Sequence, residues 1–351
     1  MMLNQMTIKN LTAFPEATLN FSDGLNVIIG ENGSGKSHIL KAAYSVIAAS
    51  AEEGRKGKAS PPTKGLLQKL FAAKLMSVFR PDSLGRLARR KKGREQCELG
   101  FVFSQQKLNT KFSFSPSSKT DVQIDQLPVV WGYHSPVFLP TRELLTIYPG
   151  FISMYENRYL EFEETYRDTC LLLGAPALKG LREKEIVSLL KPLEKAMGGT
   201  IFLSKSGRFY LSIPGQVTME MFLVAEGLRK LAMLARLIST GSLLDKGYLF
   251  WDEPEANLNP KLVKVIAEVI LHLCKNGIQV FIATHSLFLL RELEILSYKE
   301  PFKGVACRYF ALPLKESGVE VEQGNAVDDL QSLILLDEEL EQSDRFMSAG
   351  E

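Results

Sequence analysis

The segment Gly30-Glu31-Asn32-Gly33-Ser34-Gly35-Lys36-Ser37 constrains this chain more than any other. It has the spacing G-x-x-x-x-G-K-S. It follows the apolar run Leu25 to Ile29, interrupted by Asn26, and precedes a helical pattern that starts near Lys36 and runs towards Ala49. A buried strand, a glycine-rich turn and a helix in that order read as a phosphate loop. Gly30, Gly33 and Gly35 let backbone N–H groups turn inward, and the helix N-terminus adds its positive end. Asn32 and Ser34 complete the loop. Lys36 is expected to reach the β- and γ-phosphates of a nucleoside triphosphate, and Ser37 to ligate Mg²⁺.

A second constellation lies far downstream. Tyr248 to Trp251 is a hydrophobic strand that ends in Asp252 and Glu253. Asp252 is expected to hold the Mg²⁺ shell and Glu253 to polarise the attacking water. Asn259-Pro260 marks a helix start, with Asn as cap and Pro in the first turn. Its apolar spacing continues through Leu262, Val265, Ile266, Val269, Ile270 and Leu273 to Lys275, and Asn276-Gly277 ends it. Ile278 to Ala283 is a further buried strand. Strand–helix–strand units of this kind give a parallel sheet. His285 follows the tip of that strand, where it is placed to sense a γ-phosphate. His38, His134 and His272 have no such context.

Composition sets the class. At 351 residues the chain makes two or three domains, or one large lobe with inserts. With 45% apolar and 23% charged residues, it is not a disordered or fibrous chain. The net charge of +2 hides a polarised chain. Residues 55 to 94 hold 13 Lys or Arg against Asp82 alone, and residues 316 to 351 hold 11 acidic residues against Arg345 alone. The basic segment reads either as a contact for DNA or RNA backbone or as a solvated loop. No apolar run is long enough to span a membrane, and no signal peptide is expected. Cys97, Cys170, Cys274 and Cys307 form no metal-ligand pattern and read as buried thiols of a cytoplasmic protein.

Along the chain, the stretch from Glu52 to Lys64 reads as a linker and Gly65 to Phe79 as a helix. Cys97 to Phe103 and Thr110 to Phe114 alternate as antiparallel strands. Val129 to Leu139 reads as a strand, and Tyr155 to Leu173 and Ala177 to Met197 as helices. Ile201 to Ile213 reads as a hairpin, followed by a helix that stops at Gly241. In the acidic tail, Leu330, Leu333, Ile334 and Leu336 read as one face of a docked helix.

The phosphate loop, the Asp-Glu pair, Pro254, Asn257-Leu258-Asn259 and His285 together resemble the ABC-type ATPase head of ABC transporters, SMC proteins and their relatives. The resemblance implies an α/β fold with a mostly parallel core sheet, an antiparallel β-subdomain and an inserted helical subdomain. Residues 1–140 would form the first part of the core, with a basic insertion at about 52–95. Residues 141–217 would form the helical subdomain with its hairpin. Residues 218–315 would complete the core, and 316–351 would be the acidic tail. The resemblance also implies ATP and Mg²⁺ as ligands and a homodimer or higher oligomer that sandwiches two nucleotides.

The family's signature loop, Leu-Ser-Gly-Gly-Gln, aligns with Val224-Ala225-Glu226-Gly227-Leu228, where only Gly227 matches well. The hydroxyl that would contact the opposite γ-phosphate is missing. Gly227, Arg229, Lys230 and Asn259 are the candidates for contact in trans, with Arg229 and Lys230 otherwise exposed helix residues. Gln105 and Gln106 are candidates for the family's Mg²⁺-contacting glutamine by position. Arg142 reads either as a nucleotide sensor or as a surface ion pair with Glu143. Glu-Gly-x-Arg-Lys, Ala-Thr-His-Ser and the stretch Phe138 to Phe151 resemble stand-alone bacterial ATPases of the SMC/OLD-like AAA group, among them those of Septu and retron anti-phage systems. That implies a separate effector, a nuclease. The alternatives are a nucleotide-locked scaffold with negligible turnover and a RecF-like repair ATPase.

Overall fold

The computed structural model describes residues 1–56, 60–89, 95–178, 183–244 and 247–349. The chain opens with the antiparallel hairpin β1 (Leu3–Leu11) and β2 (Phe14–Asn20), and then β3 (Leu25–Ile29) leads through the glycine-rich turn into α1 (Lys36–Gly54). Next come α2 (Lys64–Phe79), β4 (Cys97–Phe103), β5 (Thr110–Phe114), β6 (Gln123–Gln126) and β7 (Pro136–Leu139). A mainly helical stretch holds α3 (Tyr148–Glu156), α4 (Glu164–Gly174) and α5 (Glu183–Met197). It closes with the small sheet of β8 (Thr200–Leu203), β9 (Phe209–Ser212) and β10 (Met219–Glu220). The chain returns through α6 (Glu226–Ser239), β11 (Tyr248–Asp252), α7 (Pro260–Lys275), β12 (Gln279–Thr284), α8 (Leu287–Ser297) and β13 (Cys307–Ala311). It ends with β14 (Leu314–Lys315), β15 (Gly318–Val319), β16 (Glu322–Gly324) and α9 (Ile334–Ser348).

The central sheet has the order β16-β13-β3-β12-β11-β7, parallel except for β16 at the edge. Its strands are apolar on both faces, as a sheet covered on both sides requires. Leu25, Val27, Leu249, Trp251, Val280 and Ile282 face one core with α6, α7 and α8. Ile28, Tyr248, Phe250, Phe281 and Ala283 face a second core with α1. There Phe250 and Phe281 stack with centroids 4.7 Å apart, and Tyr44 of α1 meets Phe250 edge-on. Beyond α1 lies the antiparallel sheet β2-β1-β4-β5-β6, so α1 is walled in on both sides.

A polar knot joins the helices on this side. Lys74 of α2, 4% exposed, bonds to Glu52 at 2.6 Å, Glu164 at 2.9 Å and Asp168 at 3.1 Å. The Tyr44 hydroxyl donates to Asp168 at 2.7 Å, and Lys41 pairs with Glu163. Burial alone would lower the Lys74 ammonium, but the three carboxylates more than offset it and hold its pKa above the ordinary lysine value.

Several elements differ from the sequence reading. The first part of the supposed linker continues α1 to Gly54. Of Val129 to Leu139, only Pro136–Leu139 pairs into a sheet, because only there does the chain run beside β11. The helix expected over Tyr155 to Leu173 is two helices, broken between Glu156 and Glu164. In the tail, Leu330 and Leu333 are buried ahead of α9, while Leu340, Phe346 and Met347 on it are exposed. The docking contacts therefore come from Leu330 and Leu333 ahead of the helix and from Leu336 in its first turn. Cys97, Cys170 and Cys274 are buried and Cys307 half-buried, all as free thiols. Of the basic segment, residues 57–59 and 90–94 lie outside the described residues.

Candidate nucleotide site

The tips of β3, β12 and β11 stand in a row, because Thr284 pairs with Ile29 and Asp252 with Ala283. Ligands of open parallel sheets bind at this carboxyl edge. Gly33 and Gly35 have φ of +88° and +87°, a region that suits glycine, and Gly35 ends as the N-cap of α1. A Cβ on Gly35 would stand 2.6 Å from the Phe14 ring, and one on Gly30 would stand 2.6 Å from Ser34 Oγ. Lys36, 6% exposed, donates from Nζ to the carbonyls of Gly30 at 2.7 Å and Glu31 at 2.8 Å. Burial lowers its pKa, against the pull of Glu253, Asp252 and Glu255.

Across the edge, burial raises the Asp252 carboxyl, the nearby Ser37 hydroxyl lowers it and Glu253 raises it again. Glu253 does not continue the strand. Its φ is +49°, which costs on the order of 1 kcal/mol or more for a non-glycine residue. Strand alternation therefore does not set its direction. Its amide donates to Ala283 O at 2.9 Å, and its Oε1 lies 3.2 Å from His285 Nδ1.

The sequence reading missed Glu255. It is 8% exposed, and its Oε1 accepts from the Thr284 hydroxyl at 2.7 Å and the His285 amide at 3.3 Å. The repeated acid in Glu253-Pro254-Glu255 was the available signal. Tyr166 of α4 was also missed. Burial and then Glu163 push its phenol up, and the charges of Arg142 and Asp252 both reach it. No local pattern announced this, because α4 arrives from a distant part of the chain.

The remaining candidates divide. Asn259 caps α7, accepting from Leu262 N at 3.0 Å. Gly227 lies in the first turn of α6, where a Cβ would stand 2.9 Å from Asn257 O. Lys230 is 2% exposed and points inward, its Nζ donating to Glu253 O at 2.7 Å and Ala256 O at 3.2 Å. Arg229 Nε lies 3.1 Å from Oε1 of buried Glu143. In this chain, then, neither cation is an exposed helix residue. Arg142 is exposed, and Glu143 pairs with Arg229 rather than with it. Gln105 and Gln106 are excluded by distance. Their turn follows Phe103, which pairs with Leu3, whereas Thr12, at the other end of β1, meets His38 at 2.9 Å. Eight strand steps separate the two ends, about 27 Å.

The residues fit a nucleotide with its metal. Ser34 Oγ is buried in the loop with no hydrogen-bond partner among the described residues, and a Cβ on Gly33 would meet nothing within 4 Å. Ser37 and Asp252 offer a hydroxyl and a carboxylate, oxygen donors of the kind that take a hard cation.

The fold, an α/β structure with a mostly parallel core, is that of SMC head domains. The SMC head domain from Thermotoga maritima superposes with a TM-score of 0.51 at 14% identity, covering 92% of this chain and 99% of that one. The Smc head bound to the C-terminal domain of ScpA derived from Pyrococcus furiosus gives 0.55 at 12% identity, over 99% of both chains. An SmcHead bound to the C-winged helix domain of ScpA gives 0.56 at 14%, covering 93% of this chain and 99% of that one. The chain belongs to the family described as "AAA domain, putative AbiEii toxin, Type IV TA system", whose profile matches residues 86–291. An "AAA ATPase domain" profile matches residues 1–110. The DNA replication and repair protein RecF of Geobacillus kaustophilus is 43% identical over 44 residues, a stretch that spans 12% of either protein.

Proposed function

We propose that the chain binds and hydrolyses ATP with Mg²⁺, closes with a second copy around the nucleotide, and through that cycle controls a separate effector protein, a nuclease, in bacterial anti-phage defence. The observation that carries the ATPase reading is the row of Lys36, Ser37, Asp252, Glu253 and His285 along one sheet edge. Gly30, Asn32, Gly33, Ser34, Gly35 and Lys36 would hold the phosphates. Ser37 and Asp252 would hold Mg²⁺, which supplies positive charge to the phosphate oxygens. Glu253 would take the proton of a water whose oxygen attacks the γ-phosphorus as the bond to ADP breaks. His285, beside Glu253, would donate to the γ-phosphate oxygen and hold the carboxylate in place.

The effector reading draws on the family description, which names a toxin, and on the SMC heads that carry ScpA. Among the described residues, one group of three carboxylates lies close enough to hold a metal, Glu52, Glu164 and Asp168, and the Lys74 ammonium bonds to all three. The proposed nuclease activity is assigned to another polypeptide. No helix among the described residues is long and apolar enough to cross a membrane. The RecF stretch favours a second reading, a RecF-like ATPase in DNA repair. Ala225, in place of the signature serine, favours slow turnover or a nucleotide-locked scaffold.

Glu253→Gln separates these. The ATPase reading expects phosphate release to fall by roughly 10²-fold, with ATP still bound and an ATP-dependent larger species persisting on gel filtration. Equal release from wild type and variant, with candidate partners supplied, counts against Glu253 as the base. Silence in both supports the scaffold.

A further inference from the structure

The interior contacts of α6 do more than anchor a helix. Lys230 places its ammonium on the carbonyl of Glu253 at 2.7 Å and on that of Ala256 at 3.2 Å. The Glu253 carbonyl also accepts from Ala256 N at 3.1 Å, which closes a tight turn after β11. Glu253 is the residue in that turn whose carboxylate lies nearer the His285 ring, 3.2 Å from Nδ1 against 3.9 Å for Glu255, and its φ of +49° is one that an L side chain adopts only under constraint. The same turn is fastened again one residue further on. Asn257 Nδ2 donates to Glu226 Oε1 at 3.0 Å, and the missing Cβ of Gly227 lets α6 approach Asn257 O. The first turn of α6, the segment that aligns with the signature loop, is thus stitched to the 253–257 turn of its own chain.

We infer that Lys230 is a positioning residue for the hydrolytic step: by fixing the Glu253 carbonyl it sets the backbone angle from which the Glu253 carboxylate reaches the attacking water. The inference rests on the reading of Glu253 given above and deepens it. Lys230 does not meet nucleotide. It transmits the placement of α6 to Glu253, so that whatever moves the first turn of α6 also moves the base.

The distinguishing quantity is turnover at constant affinity. In the full-length protein at pH 7.5, Lys230→Met is expected to lower kcat for phosphate release at least tenfold while the calorimetric Kd for Mg-ATP stays within threefold. The double variant with Glu253→Gln is expected to be no slower than Glu253→Gln alone, because both act on one carboxylate. If Lys230→Met does not fold, Lys230→Gln, which keeps a donor but not the reach, carries the same comparisons. A kcat within twofold of wild type overturns the inference, as do losses that multiply in the double variant or an affinity that falls in step with kcat. A slow Glu253→Gln with a wild-type Lys230→Met overturns this inference alone, whereas a wild-type rate in Glu253→Gln removes the reading it rests on.

Discussion

Nδ1 of His285 lies 3.2 Å from Oε1 of Glu253, although 32 positions separate the two residues in the chain. The pairing follows from register. Asp252 stands opposite Ala283, so the residues just past the two strand tips meet. His285→Ala should leave Mg-ATP binding intact and lower phosphate release by about 10²- to 10³-fold, the scale of one lost donor at a developing charge. Single-turnover measurements with radiolabelled ATP would show it. An unchanged rate would leave His285 with a structural part only.

Lys36→Ala should abolish nucleotide binding in calorimetry. The ammonium donates to two loop carbonyls, Gly30 O and Glu31 O, and because its burial offsets part of what those bonds contribute, its loss should cost about 1–3 kcal/mol of stability. A folded variant with wild-type affinity would disprove the phosphate-loop assignment.

The knot around Lys74 is a stability feature. Lys74→Met would leave Glu52, Glu164 and Asp168 facing one another without their shared cation. Because Glu52 is 42% exposed and water can reach that side, a loss of about 2–4 kcal/mol is expected from urea midpoints. A midpoint equal to wild type would show the knot to be energetically neutral.

Lys230 gives a pH signature. Burial, against the attraction of Glu255, Glu253, Glu226 and Asp252, holds its ammonium down at about 8. Between pH 8 and the ordinary lysine value of 10.5, the unfolded chain keeps a proton there that the folded chain has released. The cost of burying the charge, present in full below pH 8, is therefore relieved as pH rises through that window. Relative to Lys230→Met, wild-type stability should increase by about 2 kcal/mol from pH 7.5 to 9.5 in paired urea titrations. A constant difference would mean that the folded ammonium is not depressed.

The basic segment is tested by replacing Arg89, Arg90, Lys91, Lys92 and Arg94 together with Ser. If it contacts nucleic-acid backbone, affinity for DNA or RNA should fall and the slope of log K against log salt should flatten. No binding by the wild type at about 50 mM salt would dispose of the contact.

What could be read in advance was contiguous. The glycine-rich turn lies within eight residues, and α7 announced both its ends through Asn259 and Gly277, where the structure has the cap bond and a φ of +84°. The alternation of Cys97 to Phe103 against Thr110 to Phe114 likewise matched a real antiparallel pair. What escaped was contact made through space. The 23 positions that separate Lys230 from Glu253, and the 86 that separate Glu143 from Arg229, carry no periodic signal. An amphipathic spacing shows that a helix has an apolar face but not that a lysine beside it turns inward. Apolar content alone also could not tell that Val129 to Ser135 runs outside any sheet while the four residues after it pair with β11.

The Lys74 knot also fixes the feet of a loop. Glu52 near the end of α1 and Lys74 in the middle of α2 are held together, so the chain leaves this point and returns to it whatever lies between. A change in length between Arg55 and Ser60, whose carbonyl accepts from Trp131 Nε1 at 2.6 Å, is expected to leave α1 and the turn that precedes it in place. That makes this stretch a place where a tag or label can be inserted while the nucleotide site keeps its geometry.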